Sequence, residues 1–460
     1  MKNLFKIIFL SLVLTINAGA QPVTWQKWYD YNNLEDNGED AIQTIDGGYV
    51  IVSNSYTNPN PTEVFKTDKF GNLEWQKLYD NSNIGGDFLR SYSITQGSDS
   101  GYVISGFNGQ YSSGSSGIIF KISKTGEISW IRRFPKTERI YDHKMTGDGG
   151  IIICGNSPNS GYLAKTDLYG NIEWDSVYSS FPYTIRIIES IDGSIYILRL
   201  ESELVKISKT GDVLWRRILF LPNPEDLFEN SSGHIFAGGG LDSMILYKID
   251  TSGSVIFQKS YNKEVNGCQS MCLSVDGNIL MAGNNHFTTV ISVSKINPDG
   301  SLIFNKSIQT LKDPQFAFLP YSVSSTNDSG FIFTGFTNYP PNFLESNTYA
   351  AKTDSACNAP LMVGINNNES LIFEKYILFQ NYPNPFNPVT NLEFGIPDLG
   401  FVSLKIYDVL GKEIKTLVNE IKQPGIYKVE FDGSNLSSGI YFYTIEAGSF
   451  IQTNRMVLLK

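Results

Sequence analysis

The chain has 460 residues, a formal charge of −10 and a pI near 5.0, so it offers no basic footprint for nucleic acid. Only 18% of residues are charged while 13% are aromatic and 41 are glycine, which excludes a disordered chain and argues against a helix-rich one. The length allows two to four domains of ordinary size. At the N-terminus, Lys2 and Lys6 precede the apolar run 7–16 and the small-residue site Ala18-Gly19-Ala20, the pattern of a secretory signal with Gln21 as the first mature residue. The run is too short to span a bilayer, and no other stretch is longer, so the mature chain is expected to be exported without a transmembrane segment.

Four cysteines remain in a chain destined for an oxidising compartment. Cys268 and Cys272 lie on a predicted strand, which holds their Cα atoms about 13 Å apart, beyond disulfide reach. Cys154 sits within an apolar run, and small buried thiols are the expectation for these residues. The three histidines, His143, His234 and His286, lie near no cysteine pair of zinc-ligand spacing, so neither metal nor cofactor is expected.

From Gln21 to about Val363 one pattern recurs seven times. Lys66-Thr-Asp-x-x-Gly-Asn returns at Lys165 and, in variant form, at Lys121, Lys206, Lys248, Lys295 and Lys352, with 41 to 57 residues between successive lysines. Nine residues after each of the first six lysines comes an aromatic: Trp75, Trp130, Trp174, Trp215, Phe257 and Phe304; the seventh unit has Leu361 there. Ahead of each lysine stands a second turn signal, such as Asp46-Gly-Gly, followed by a β-rich run. Asp-Gly turns accept positive φ and close tight hairpins. The unit therefore reads as four strands, for instance 41–45, 49–53, 63–67 and 73–79. Such a sheet cannot cover both of its faces alone, but copies stacked around an axis can, so the period predicts a seven-bladed β-propeller over 21–363. The seventh unit lacks an outer strand, and Trp25-Gln-Lys-Trp-Tyr-Asp30 echoes Trp75-Gln-Lys-Leu-Tyr-Asp80. The N-terminal segment is thus expected to pair into the last blade and remove an open edge.

The stretch from Ala164 through Asp167 and Gly170 to Trp174 resembles the tryptophan-docking turn of quinoprotein-like propellers, with one residue fewer between Asp and Gly. It is also similar to the Asp box of sialidases, with wider spacing. Both resemblances imply a structural turn, with Trp75, Trp130, Trp174, Trp215, Phe257 and Phe304 docking blade on blade. Local bonding of Asp to the backbone accounts for Asp68 and Asp167 without catalysis.

Residues 364–375 form a polar, turn-rich linker. Beyond it, three prolines within 383–388 forbid helix, and short alternating strands over 376–460 read as a small Ig-like antiparallel β-sandwich, completing an all-β chain. The segments Asn381-Tyr382-Pro383-Asn384-Pro385-Phe386-Asn387-Pro388, Val402 to Gly411, Leu436-Ser-Ser-Gly439 to Tyr443 and Met456 to Lys460 resemble the type A C-terminal sorting domain of the type IX secretion system. The resemblance implies a Bacteroidetes-type envelope, recognition by the type IX translocon, passage through the outer membrane, removal by its C-terminal signal peptidase, and release or surface attachment.

For the propeller itself the loops after each second strand, rich in Tyr, Asn, Ser and Gly, suit glycan or protein contact as well as plain solvation. Arg132-Arg133 and Arg216-Arg217 follow the docking tryptophans on outer strands, away from any central pocket, and no hydrolase motif is found. Asp30, Glu35, Asp36, Glu39 and Asp40 crowd one inter-blade loop without EF-hand spacing, and read as a solvated acidic loop. The expected role is a non-catalytic module for an extracellular glycan or protein ligand. The alternatives are a secreted carbohydrate-active enzyme and a structural envelope component.

Overall fold

The computed structural model describes residues 23–460 apart from 30–35, 57–59, 81, 87, 111–113, 158, 180–182, 263–264, 266, 285–289, 310–317, 339–345, 361–375, 382, 397–399, 423–424 and 449. Every regular element among the described residues is a β-strand, and among those residues no helix is long and apolar enough to cross a membrane. The chain divides into two compact units, Met1–Met362 and Val363–Lys460. The cleavage residues Ala18, Ala20 and Gln21 and the linker 364–375 lie outside the described residues.

The first unit is a seven-bladed β-propeller. Six four-stranded antiparallel sheets follow one another in chain order, each running from the axis outwards. The seventh takes its inner three strands from Phe318–Ser325, Phe331–Asn338 and Ser346–Thr353, and its outermost from Trp25–Tyr29, at the other end of the unit. Trp25 lies opposite Lys352, the register in which Trp75 faces Lys66 and Trp130 faces Lys121. The seventh docking aromatic is therefore Trp25; Leu361 lies outside the described residues.

The sequence of each strand follows its depth in the blade. The second strand of the first blade, Tyr49–Ser55, is buried throughout, because neighbouring blades cover both of its faces. The outermost strand, Leu73–Tyr79, is largely exposed. Apolar clusters accordingly lie between blades. Val50, Val52 and Val64 of the first blade meet Ile104, Ile118 and Phe120 of the second. Trp25, Ile332 and Ala350 of the seventh meet Ile51 and Phe65 of the first, which seals the ring. Each fully buried Val, Ile or Phe contributes roughly 1.5–3 kcal/mol.

Two local devices recur. Asp46, Asp99, Asp148, Asp192, Asp276 and Asp328 in the first turns bind the strand-three lysines Lys66, Lys121, Lys165, Lys206, Lys295 and Lys352 at 2.6–3.1 Å. In the fifth blade Ser232 replaces the Asp, and Lys248 instead donates to Pro298 O at 2.9 Å. In the second turns, Asp68 Oδ1 accepts the N–H groups of Phe70 and Asn72 at 2.8 and 2.9 Å, and Gly71 adopts φ 74°. A Cβ on Gly71 would stand 2.8 Å from the Trp25 indole, so the preceding blade's aromatic lies flat on this turn.

The first strand begins earlier than its apolar residues suggest. It runs Asp36–Gln43 rather than 41–45, because a β-bulge between Gly38 and Asp40 carries pairing through a polar stretch.

The second unit packs two sheets, one ordered Ile377–Leu378, Val389–Ile396, Gly425–Asp432 and the other Glu413–Lys422, Gly400–Tyr407, Gly439–Ala447, Phe450–Leu458. Their inner faces share one core including Phe394, Leu404, Ile406, Tyr443 and Met456, an antiparallel sandwich.

Because Trp25 supplies both the last ladder and a docking ring, Trp25→Ala should destabilise the propeller by about 3–5 kcal/mol. Urea unfolding followed by tryptophan fluorescence would register this as a lowered midpoint; an unchanged midpoint would remove the closure from the account of stability.

Candidate functional site

The seven innermost strands surround a cavity of about 380 Å³ on the propeller axis. Its wall is built by the bulge. In six blades the register slips by one residue at the same place, next to Asp40, Ser93, Asp142, Arg186, Asp226 and Ser322; Ser270 holds this position in the sixth blade. A bulge leaves a main-chain N–H outside the ladder and turns the next side chain inwards. The three aspartates answer that deficit. Asp40, Asp142 and Asp226 each accept the following residue's N–H at 2.9 Å. With their second oxygen they accept the N–H of Ile94, Ile187 and Met271 in the next blade, at 3.0, 3.2 and 3.0 Å.

The remaining junctions are closed by side chains of the same ring. Ser93 donates to Asp142 at 3.3 Å, Ser322 to Asp40 at 2.7 Å, and Ser270 accepts from Val323 N at 3.2 Å. Arg186 Nε lies 3.7 Å from Asp226, and Lys144 Nζ is 2.8 Å from Asp142. A continuous polar belt thus crosses all seven blade junctions. Burial pushes the Asp40 carboxyl up, and it has no cation within ion-pair distance among the described residues. Burial acts on Asp142 too, but Lys144 and Arg186 hold its carboxyl below the usual range.

Beside the belt, the bulged residues Glu39, Tyr92, Tyr141, Glu225 and Tyr321 form a second tier. Burial raises Glu39 to about 7 against the opposing hydrogen bond from Asn54. It raises Glu225 to about 7 against the charge of Arg186. Tyr92 and Tyr141 stack with ring centroids 5.4 Å apart.

None of the belt was read from the sequence, although a signal exists: each belt residue stands six positions before the first-turn residue of its blade, from Asp40 before Asp46 to Ser322 before Asp328. Glu39 and Asp40, expected in a solvated acidic loop, are instead half-buried strand residues, and Asp36 is fully buried. They belong to the wall of the ring because the bulge extends the strand through them; Asp30 and Glu35 lie outside the described residues. No group of three or more metal-ligating side chains is gathered among the described residues. The four cysteines are free, with Cys154, Cys268 and Cys357 buried, and burial pushes the Cys357 thiol up to about 12.

The docking aromatics lie on the outermost strands, far from the axis. Trp75 Nε1 donates to Lys124 O at 3.1 Å and Trp215 Nε1 to Thr251 O at 3.4 Å, each in the next blade. A Cβ added to Gly170 or Gly300 would stand 3.0 Å from Trp130 or 2.8 Å from Phe257. Trp174 sits more loosely, 3.7 Å from such a Cβ on Gly211. Phe304 meets Cys357, which holds the usual glycine position at φ 58° and shares its apolar cluster. Arg132-Arg133 and Arg216-Arg217 occupy the outermost strands Ile128–Phe134 and Val213–Ile218.

In the second unit the Asn-Pro-rich loop is tied to the chain's last strand. Asn381 is buried, its N–H donating to Tyr443 OH at 2.7 Å and its amide to Thr390 at 3.0 Å. Asn384 Oδ1 accepts Val457 N at 2.9 Å. Phe386 is buried on Phe431, its N–H and C=O bonded to Val457 and Leu459. Pro388 O accepts Gly433 N at 2.8 Å. Pro383, Pro385 and Asn387 lie exposed beside these anchors, while Tyr382 is outside the described residues. Gly411 takes φ 78° in an Asp408 turn, and Gly439 opens a core strand. The family profile of the secretion system C-terminal sorting domain matches residues 380–459. This segment is a type IX secretion sorting domain. It marks the protein for export across the outer membrane, to the cell surface or beyond.

No curated protein matches the chain. Among solved structures it is similar to a catalytically inactive virginiamycin B lyase from Staphylococcus aureus with quinupristin, at 11% identity and TM-score 0.48 over 71% of this chain and 99% of that one. It is also similar to the WD40 β-propeller domain of Doa1, at 10% identity and TM-score 0.49 over 71% and 96%. BamB from Moraxella catarrhalis aligns at 14% identity and TM-score 0.40 over 71% and 98%.

Two measurements test this wall. Asp226→Ala removes the acceptor for Leu227 N, Met271 N and Ser270 and leaves Arg186 unpaired, and should cost about 3 kcal/mol in urea unfolding. The folded chain holds protons on Glu39 and Glu225 up to about pH 7, whereas unfolded glutamates ionise near 4.5. Stability should therefore fall as pH rises from 4.5 to 7, by on the order of several kcal/mol for the two groups together. Glu39→Gln with Glu225→Gln should flatten that slope; an unaltered profile would refute the assignment.

Proposed function

We propose that the protein is an exported binding module. The mature chain begins at Gln21, a propeller over 21–363 recognises an extracellular glycan or protein without turning it over, and a linker at 364–375 leads to the sorting sandwich at 376–460. The type IX translocon recognises that sandwich, through a surface that includes the exposed Pro383, Asn384, Pro385, Asn387 and Gly411, and the associated C-terminal signal peptidase removes it. The observation that carries the binding role is the axial cavity. Its aspartates are committed to main-chain N–H groups across blade junctions, which makes them structural, while tyrosines and a serine-rich belt line a rigid concavity. Preorganised polar and aromatic walls favour recognition because little ordering is left to the moment of binding.

A secreted carbohydrate-active enzyme is the second reading, favoured by Glu39 and Glu225 with carboxyls near 7, where a general acid works best. A glycan array with the protein purified from culture separates the two: retention without turnover supports the first, and hydrolysis lost in Glu39→Gln supports the second. Removal of 376–460 should leave the protein in the periplasm. Export of the truncated chain at the normal level would overturn the sorting assignment.

A further inference from the structure

The mouth of the axial cavity is not uniform. The bulged residue and the residue two before it define a short column on each bulged inner strand, and in two neighbouring blades that column repeats: Arg90-Ser-Tyr92 in the second and Arg139-Ile-Tyr141 in the third. Residues two apart on a strand share a face, so each arginine stands beside its tyrosine towards the loop-bearing rim. The same column reads Asn37 and Glu39, Tyr183 and Ile185, Asn223 and Glu225, or Leu319 and Tyr321 in other blades.

Both guanidiniums are stacked rather than ion-paired. Arg90 lies 4.3 Å over the Tyr56 ring and Arg139 4.7 Å over Phe107. Phe107 in turn stacks on Tyr92 at 5.8 Å, and Tyr92 on Tyr141 at 5.4 Å. Among the described residues neither arginine has a carboxylate within 4 Å or a hydrogen-bond acceptor. Other arginines of the ring are engaged: Arg186 with Asp226, Arg199 with Glu203, Arg133 with Ile84 O, Arg217 with Gly253 O. Glu39, the acid on which the charge of Arg90 acts, accepts its hydrogen bond from the Asn54 amide at 3.0 Å. Arg139 is exposed and Arg90 half-buried, so both forks are open to a ligand. Stacking fixes a guanidinium plane while leaving its N–H edge free for a planar carboxylate. Aromatic faces beside such forks suit the C–H faces of sugar rings.

We propose that this arginine–tyrosine shelf of the second and third blades binds a carboxylated polysaccharide, with Arg90 and Arg139 each receiving a uronate carboxylate and the adjoining aromatic rings packing against the sugars. This rests on the propeller's being a binding module and names the class of its ligand.

The test uses the full exported protein and polygalacturonate in affinity electrophoresis, with dextran as neutral control. Retardation by polygalacturonate but not dextran is expected, weakening as salt rises. Arg90→Gln and Arg139→Gln should each weaken binding about tenfold, as loss of a charge-assisted pair does. Arg90→Lys and Arg139→Lys should retain part of it, and thermal melts confirm that each variant is folded. Unretarded wild type, undiminished binding by the folded double Gln variant, or equal binding of poly-glutamate or of dextran sulfate, which carries no carboxylate, would each overturn the proposal. Should the array find a neutral glycan or protein ligand while polygalacturonate fails, only this inference falls and the binding module stands.

Discussion

A four-stranded sheet with apolar residues on both faces cannot exist alone in water, and this constraint governs the whole ring. Each blade of this protein is covered only by its neighbours, so the clusters that stabilise it lie between blades rather than within them. A row of such sheets would still leave two bare faces at its ends. The ring removes them, and Trp25–Tyr29 locks it by pairing the beginning of the unit with its end. The closing contact is of the same kind as that between the first two blades: an aromatic ring on a glycine turn, with Trp25 Nε1 donating to Lys69 O at 3.1 Å.

Closure has a polar counterpart at the axis. Seven inner strands converge there, six of them with a bulge that frees backbone groups. The aspartates that satisfy those groups also reach the next blade, so one residue type meets a local deficit and a long-range one together. This explains how carboxylates come to line the cavity. Where the belt has Arg186 instead, the ionic contact to Asp226 takes over the junction. Redundancy of this kind makes the wall stiff, and stiffness leaves variation to the tiers beside it, where Glu39, Tyr92, Tyr141, Glu225 and Tyr321 differ from blade to blade.

The sorting sandwich follows another logic. Its conspicuous Asn-Pro segment reads as a recognition motif, yet Asn384 and the main chain of Phe386 are bonded to the chain's C-terminal stretch, while Asn381 is committed to Tyr443 and Thr390. The loop and the chain's last residues thus form one folded surface within the sandwich.

Turn chemistry acts within a few residues, which is why the sequence alone determined the repeat, the number of blades, the aromatic positions and the tail: Asp, Gly and Trp at constant spacing need no distant partner to be read. The closing strand was also legible, because its residues copy those of the first outer strand. Only the tertiary structure decided the rest. Whether Asp40 belongs to a loop or a wall depends on a bulge that shifts the register by one residue, and Glu39, Tyr92 and Tyr321 become neighbours across blades that are far apart along the chain. The shelf of Arg90 and Arg139 arises in the same way, since side chains 49 residues apart acquire a common face only when the ring curls them around one axis.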